Sequence, residues 1–337
     1  MKKIDTQGDV DLLRHYYLVE KMSTVDIEKH SVDIFGKYIS RGTVYRSIIK
    51  NKIKIRSKSS SVSVSKRNLD YDKSFLTDRM TEWFDGFLLG DGSLRFSNAY
   101  FKKHNDVKYA RISMGSVKKE WTEYAMSGFT PYLMNGNIDI GEYIYEDSPR
   151  HPNPLYLSRS LGHPDIAFQV KRWYPLPKTK KVIPKDIRIT PISVMLWYLG
   201  DGSFHYSEKN SSQLRIATCS FKREDLVGII LPKLKDLNIN SYVDKYKNDI
   251  HICTESIKNF FNLIGWKSPI SCYDHKFNIP YWLRLNRLSN VVNNNRDKWL
   301  VQSWCRSGMV EFSKSPNGRF FLFTDEQKEK IRKKLRK

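Results

Sequence analysis

Two stretches decide how this chain folds: WFDGFLLGDGSL at residues 83–94 and LWYLGDGSF at residues 196–204. Each is an apolar run with helical character that ends in Gly-Asp-Gly-Ser, and the two aspartates, Asp91 and Asp201, lie 110 positions apart. Further echoes follow in the same order. ARISMGSVKKE at 110–120 aligns with LRIATCSFKRE at 214–224, sharing Arg-Ile and Ser-x-Lys-basic-Glu. A tryptophan, Trp173 or Trp266, then precedes a lysine in a polar stretch, Lys181 or Lys276. Ordered echoes at similar offsets mark an internal duplication.

Hydrophobic periodicity predicts one element order in both units: helix, two strands, helix, two strands, helix. In the first, strands are expected near 93–97, 108–115, 137–146 and 154–159, with helices over 117–133 and 163–173. In the second, strands are expected near 203–208, 213–219, 240–246 and 249–254, with helices over 222–236 and 255–264. The fold class is therefore α+β: two pseudo-symmetric αββαββα repeats, at 78–182 and 183–277, joined through antiparallel sheets into a saddle.

The flanks read differently. Residues 1–56 form a small helical module. Ser23 to Asp26 has capping-box spacing, and Ser40 stands as N-cap before RGTVYR at 41–46. The pattern resembles a helix-turn-helix with 41–50 as the recognition helix, although its second and third helices are unusually far apart. Arg41, Thr43 and Arg46 are its candidate DNA contacts. SKSSSVSVSKRN at 57–68 has the composition of a flexible basic linker, which is set at 57–77. Residues 278–337 form a basic C-terminal extension. A strand at 319–323 after Pro316-Asn-Gly and a basic helix over 322–336 fit either a winged-helix-like module or a helical cap on the core.

Composition bounds the function. The 337 residues carry 58 Lys plus Arg against 36 Asp plus Glu, a formal charge of +22. That surplus calls for an anionic partner, and nucleic acid fits it. Hydrophobic residues make up 40%, enough for a packed core. Cys219, Cys253, Cys272 and Cys305 include no Cys-x-x-Cys pair, so they read as core thiols of a reducing compartment and not as a zinc site. No apolar run approaches membrane-spanning length, and the first residues lack a secretory signal, so an intracellular location is expected, with cytoplasm and organelle indistinguishable.

The duplicated segments resemble the LAGLIDADG homing endonucleases. FDGFLLGDG at 84–92 and VMLWYLGDG at 194–202 occupy the nine positions of that motif, and the likeness extends over roughly 78–277. It implies a site-specific, metal-dependent DNA endonuclease that makes a double-strand break at a long recognition site. Double-stranded DNA would be the partner, and one chain holding both halves would act as a monomer.

The residues support that chemistry independently. A helix ending at Asp-Gly delivers a carboxylate at its tip, and two such helices side by side bring two carboxylates together. Close approach needs small residues, and Gly86 and Gly90 lie one turn apart on one face. Gly200 matches Gly90, but Leu196 stands opposite Gly86, so asymmetric packing is expected. Adjacent carboxylates at helix C-termini need a cation between them. Asp91 and Asp201 are therefore the expected metal ligands, with the carbonyls of Gly90 and Gly200 as helpers. Mg2+ is the expected ion and Mn2+ its substitute. The resemblance implies one basic residue per half near the scissile phosphate: Lys181, and Lys276 with His275 as an alternative.

Strand alternation nominates Arg95, Lys108, Arg111, His205, Tyr206, Arg215, Lys245 and Lys247 as DNA contacts, with Ile112, Ile216 and Ile252 turned toward the helices. Two other functions stay open on this scaffold: a DNA-binding transcription regulator, and a maturase acting on intron RNA. An intein is not indicated, because no splicing block with a leading Cys or Ser and a closing His-Asn is present.

Overall fold

The computed structural model describes residues 4, 6–55, 71, 73–144, 153–175, 180–206, 212–292, 294–315, 318 and 320–336. Most of the predicted linker, 57–77, lies outside them.

Both repeats carry the predicted order. The first runs from a helix at Asp78–Leu89 through β1 (Ser93–Phe96) and β2 (Ala110–Ser116) to a helix at Lys119–Ser127, then β3 (Ile140–Tyr143), β4 (Leu155–Arg159) and a helix at Pro164–Trp173. The second starts with a helix at Pro191–Asp201 and continues with β5 (Gly202–His205) and β6 (Gln213–Ile216). A helical stretch over 223–236 follows, with a π turn at Leu226–Ile230, then β7 (Ser241–Val243), β8 (Ile250–Ile252) and a helix at Ile257–Ile264. The sheets have the same antiparallel topology, β1-β2-β4-β3 and β5-β6-β8-β7. A helix at Asn98–His104, with no counterpart in the prediction, separates β1 from β2.

Register assigns the faces. Arg95 pairs with Arg111 and Ser113 with Arg159, so these four share one face of the first sheet, on which the three arginines are exposed and Ser113 is buried. Leu94, Ile112 and Met114 alternate inward and are buried. In the second sheet Ser203, His205, Gln213, Arg215, His251 and Tyr242 share the open face, while Leu214, Ile216, Ile250 and Ile252 are buried.

The two motif helices cross at the centre of the largest core, which spans both repeats. A Cβ on Gly86 would lie 2.4 Å from the carbonyl oxygen of Ser193, so only glycine allows this approach. The small partner on the second helix is thus Ser193, one turn before Leu196, and the helices mesh asymmetrically, as the Leu196 substitution predicts. At the other end Gly90 and Gly200 meet: a Cβ on Gly90 would lie 3.8 Å from the Gly200 Cα.

Buried Asp85 fixes the linker between the repeats. It forms a two-bonded ion pair with Arg172 and accepts the backbone N–H of Arg188 at 2.8 Å. Desolvation raises its pKa despite the guanidinium beside it.

The flanking modules have cores of their own. In the N-terminal one, Leu13, Ile27, Ile39, Val44 and Ile48 are fully or almost fully buried. Ser23 and Asp26 form the predicted capping box. The extra length before the helix at Arg41–Lys50 is taken up by a short helix, Ser31–Phe35, closed by Gly36 in the left-handed conformation. Ser40 occupies the N-cap, but its hydroxyl engages the Thr43 side chain at 3.1 Å and caps no backbone N–H. In the C-terminal module, β9 (Asn286–Arg287) precedes helices at Leu288–Val291 and Asn295–Arg306. The hairpin β10 (Ser313–Lys314) and β11 (Phe321–Phe323) follows, then a helix at Asp325–Leu335, and the sheet order is β10-β11-β9. Of the predicted turn, Pro316 and Asn317 lie outside the described residues.

The four cysteines are free thiols, but Cys219 is exposed and only Cys305 is buried, which corrects the reading of all four as core. Among the described residues no helix is long and apolar enough to cross a membrane.

Candidate active site and nucleic-acid interface

The motif helices end at one place. Asp91 follows the C-cap Gly90 of the first, and Asp201 is the last residue of the second. The Asp91 carboxylate reaches the opposite helix: a Cβ on Gly200 would lie 3.3 Å from its Oδ2. Asp201 bears the cost of this approach. Burial and then the charge of Asp91 push its pKa up to about 7, against the pull of Lys181 and Lys276.

Both predicted lysines converge here. Lys181 Nζ donates to the carbonyl oxygens of Leu88, Gly90 and Gly92 at 2.7, 3.2 and 3.2 Å. Lys276 Nζ donates to those of Tyr198, Leu199 and Gly200 at 3.4, 2.5 and 3.3 Å. Each lysine therefore caps the C-terminus of the motif helix in its own repeat, where unpaired carbonyls and the helix dipole favour a cation. Burial lowers both pKa values to about 8, with the two aspartates pulling the other way. Asp274 and His275 do not displace Lys276. The 3-10 turn Ser271–Phe277 points Lys276 inward and leaves His275 exposed. The Lys276 ammonium also sits 4.3 Å from the Tyr273 ring centroid.

Two residues of the first repeat that sequence reasoning passed over complete the site. The buried Trp121 indole donates to Asp91 Oδ2 at 3.0 Å and lies 5.8 Å from the Tyr273 ring. Its neighbour Glu120 accepts from the Ser271 backbone N–H at 2.8 Å, the Ser271 hydroxyl at 2.9 Å and the Cys272 N–H at 2.9 Å. These bonds hold the Glu120 carboxyl below its ordinary pKa. The segment bearing Lys276 in one repeat is thus held by a helix of the other. The sole sequence signal was the recurrence of Glu120 as Glu224 in the aligned echo.

The donor set suits a hard divalent cation. Two carboxylates share a site where their repulsion is visible in Asp201, and the carbonyl oxygens of Gly90 and Gly200 lie at the same helix ends. The carbonyls of Gly90 and Gly200 already accept a lysine proton, so any metal bond would use their second lone pair. No third His, Cys, Asp or Glu joins a metal-sized cluster among the described residues, so a metal here would need oxygens from substrate or water.

The predicted DNA contacts divide. Arg95, Arg111, His205 and Arg215 lie on the open sheet faces, although Arg215 also pairs with buried Asp249 at 3.6 Å. Lys108 is exposed just before β2. Lys245 and Lys247 are exposed on the β7–β8 turn, which Asp244 organises by accepting the N–H groups of Tyr246 and Lys247, so the strand predicted over 240–246 stops at Val243. Tyr206 is half-buried just past the end of β5 at His205, outside the reach of strand alternation, and its ring lies 6.1 Å from Trp282. Thr43 is a misassignment. It is buried against the N-terminal core, whereas Arg41 and Arg46 are exposed on the same helix. Sequence reasoning did not name Ser93, Arg159, Gln213, Tyr242 and His251, which share those sheet faces, and the last two stack at 5.3 Å.

Comparison with known proteins agrees with this architecture. Over 157 residues the chain is 26% identical to an uncharacterised protein, MJ1098, of Methanocaldococcus jannaschii, matching 46% of this chain and 56% of that protein. The chain thus spans only about half the length of that relative. The fold superimposes on the homing endonuclease I-WcaI bound to its DNA recognition sequence with a TM-score of 0.52 and 20% identity, covering 68% of this chain and 98% of that one. The meganuclease I-SmaMI bound to uncleavable DNA matches 68% of this chain and 90% of its own at 13% identity, with a TM-score of only 0.32. A family model matches residues 81–260, more than half of the chain and all but the edges of both repeats. The chain belongs to the LAGLIDADG DNA endonuclease family.

Proposed function

We propose that this protein cuts double-stranded DNA at a long specific site, breaking both strands by divalent-metal-dependent phosphodiester hydrolysis at one composite centre. The observation that carries the reading is the meeting of Asp91, Asp201, Lys181 and Lys276 at the tips of two crossed helices. Carboxylates facing polyanionic DNA are unfavourable unless a cation lies between, so their pairing argues for metal chemistry over mere binding.

Asp91 and Asp201 would hold the metal, Mg2+ by preference with Mn2+ as substitute, and the Gly90 and Gly200 carbonyls would add oxygen donors. Such an ion, when bound, would supply Lewis-acid activation of a water nucleophile and charge neutralisation at the phosphate. The chain's own groups do the rest. Trp121 orients the Asp91 carboxylate. Lys181 and Lys276, each anchored to three carbonyls, present one cation per half toward the phosphates. With pKa values lowered to about 8 they remain mostly charged at neutral pH, yet release a proton more readily than an exposed lysine.

The open sheet faces would read the site. Arg95, Arg111 and Arg159 on one and His205, Gln213, Arg215 and His251 on the other supply donors spaced along the groove. Lys108, Lys245 and Lys247 suit phosphate contacts at the edges. Arg41 and Arg46 would add contacts from the N-terminal helix-turn-helix-like module, carried on the linker at 57–77. Both halves are present in one chain, so a monomer suffices.

The test is incubation with a randomised DNA library and Mg2+, followed by sequencing of the cut ends. The expected result is one enriched site with breaks in both strands. Asp91→Asn and Asp201→Asn should each abolish cutting and leave metal-free binding of that site largely intact. Cleavage at the wild-type rate by either variant would sink the assignment. Enrichment by binding without cutting would support the regulator reading instead.

A further inference from the structure

The C-terminal module presents a helix face that the catalytic site does not use. In the helix Asn295–Arg306, Val301 and Cys305 point into the module's core. The opposite face carries Asn295, Arg296, Trp299, Ser303 and Arg306, at helical spacings of three and four. Trp299 is 68% exposed, an unusual position for an indole in water. No carboxylate pairs with Arg296 or Arg306 among the described residues, and the helix's own acid, Asp297, is drawn to its N-cap Asn294 at 2.7 Å. The final helix differs, since Lys330 and Arg332 pair with Glu326 and Glu329.

The setting of this face is specific. Two helices, Leu288–Val291 and Asn295–Arg306, lie in the chain between strand β9 and the hairpin β10–β11 of the three-stranded sheet. The module is locked to the second repeat. Lys258, on that repeat's last helix, bonds Asp325 at 2.8 Å and Asn286 at 3.0 Å, and buried Asn286 also bonds Asp325 at 2.9 Å. Residues 278–337 hold 14 Lys plus Arg against 5 Asp plus Glu.

We infer that the outer face of the helix Asn295–Arg306 is a second DNA-reading surface that engages duplex flanking the central site on the side of the second repeat. Arg and Asn supply bidentate donors for base edges, Ser303 suits phosphate or base, and the exposed indole offers apolar area against sugar or thymine methyl groups. A face with cations and no carboxylate complements a polyanion and not an average protein surface. The inference rests on the DNA-cutting reading above, because it needs a central site to flank.

The test uses the full-length chain without metal. Hydroxyl-radical footprints and affinities are measured on the selected site in two DNAs, one trimmed to the central region and one carrying native-length flanks. The wild-type footprint should extend further on one side of the cut than on the other, by about one helical turn. Trp299→Ala, and separately Arg296→Glu with Arg306→Glu, should erase that extension. Each should weaken binding to the long DNA by about tenfold or more. Neither should change metal-free binding of the trimmed DNA, nor its cleavage once Mg2+ is added, and that unchanged cleavage also shows that the variants fold. A footprint equal on both sides, or one unaltered by both variants, would overturn the inference and leave the endonuclease reading intact. Failure of the wild type to select any DNA site would overturn both.

Discussion

Asp91 and Asp201 occupy equivalent motif positions but have different surroundings. Asp91 receives the Trp121 N–H, whereas the residue aligned with Trp121 in the second repeat is Asp225, which has no such proton to give. Asp201 is the more buried and carries the shift to about 7. An acid whose pKa is raised on folding binds more protons folded than unfolded, so stability falls as pH rises between its unfolded value, near 3.8, and about 7. In EDTA, Asp201→Asn should therefore stabilise the protein by a few kcal/mol at about pH 7.5 and give little gain at about pH 4. The two lysines, lowered to about 8, are still mostly protonated at about pH 7.5. Added Mg2+ should raise the urea midpoint of the wild type at the higher pH and leave the variant unmoved. A variant no more stable than the wild type at either pH would show that the carboxylate repulsion is relieved without metal.

At the scale of elements, the cross-repeat contact of the helix Lys119–Ser127 is the asymmetric feature. Glu120 fastens the turn that carries Lys276, and among the described residues no hydrogen bond ties Glu224 to the Lys181 segment. Loosening that turn should affect one lysine far more than the other. Glu120→Ala is expected to slow one strand cut selectively, so a supercoiled plasmid carrying the target should accumulate as nicked circle before linear product appears. Glu120→Gln retains an acceptor oxygen and should fall in between. If Glu120→Ala slows both cuts equally, the effect is global and the positioning role fails.

The described residues pack into three hydrophobic cores, and one dominant charge covers the chain. The central core spans both repeats, so neither repeat is a closed unit without the other. The flanking cores are small and separate. With a formal charge of +22 distributed over all parts, binding should depend steeply on salt. Affinity for the selected site should fall by about a thousandfold or more between roughly 50 and 200 mM salt, in a titration without metal. A shallow slope, equivalent to one or two phosphate contacts, would mean that most of the surplus charge never meets DNA.

The sequence by itself determined the duplication, the order of elements in each repeat and the four central residues. Each of these rests on local chemistry: apolar period, Gly-Asp at a helix end, and a lysine recurring after a tryptophan. The strand register that separates Arg95 and Arg111 from Leu94 and Ile112 follows from simple alternation, but alternation reaches only as far as the strand, and β5 ends at His205, before Tyr206. Thr43 failed for a related reason, since helical position alone does not say which face meets the core. Only the tertiary structure decided that Ser193 receives Gly86, that Trp121 and Glu120 reach across the repeats, and that Asp201 pays for the approach of Asp91. Those are contacts between residues far apart in the chain. No local propensity encodes them, because they exist only once two helices have packed at one particular crossing and brought their ends together.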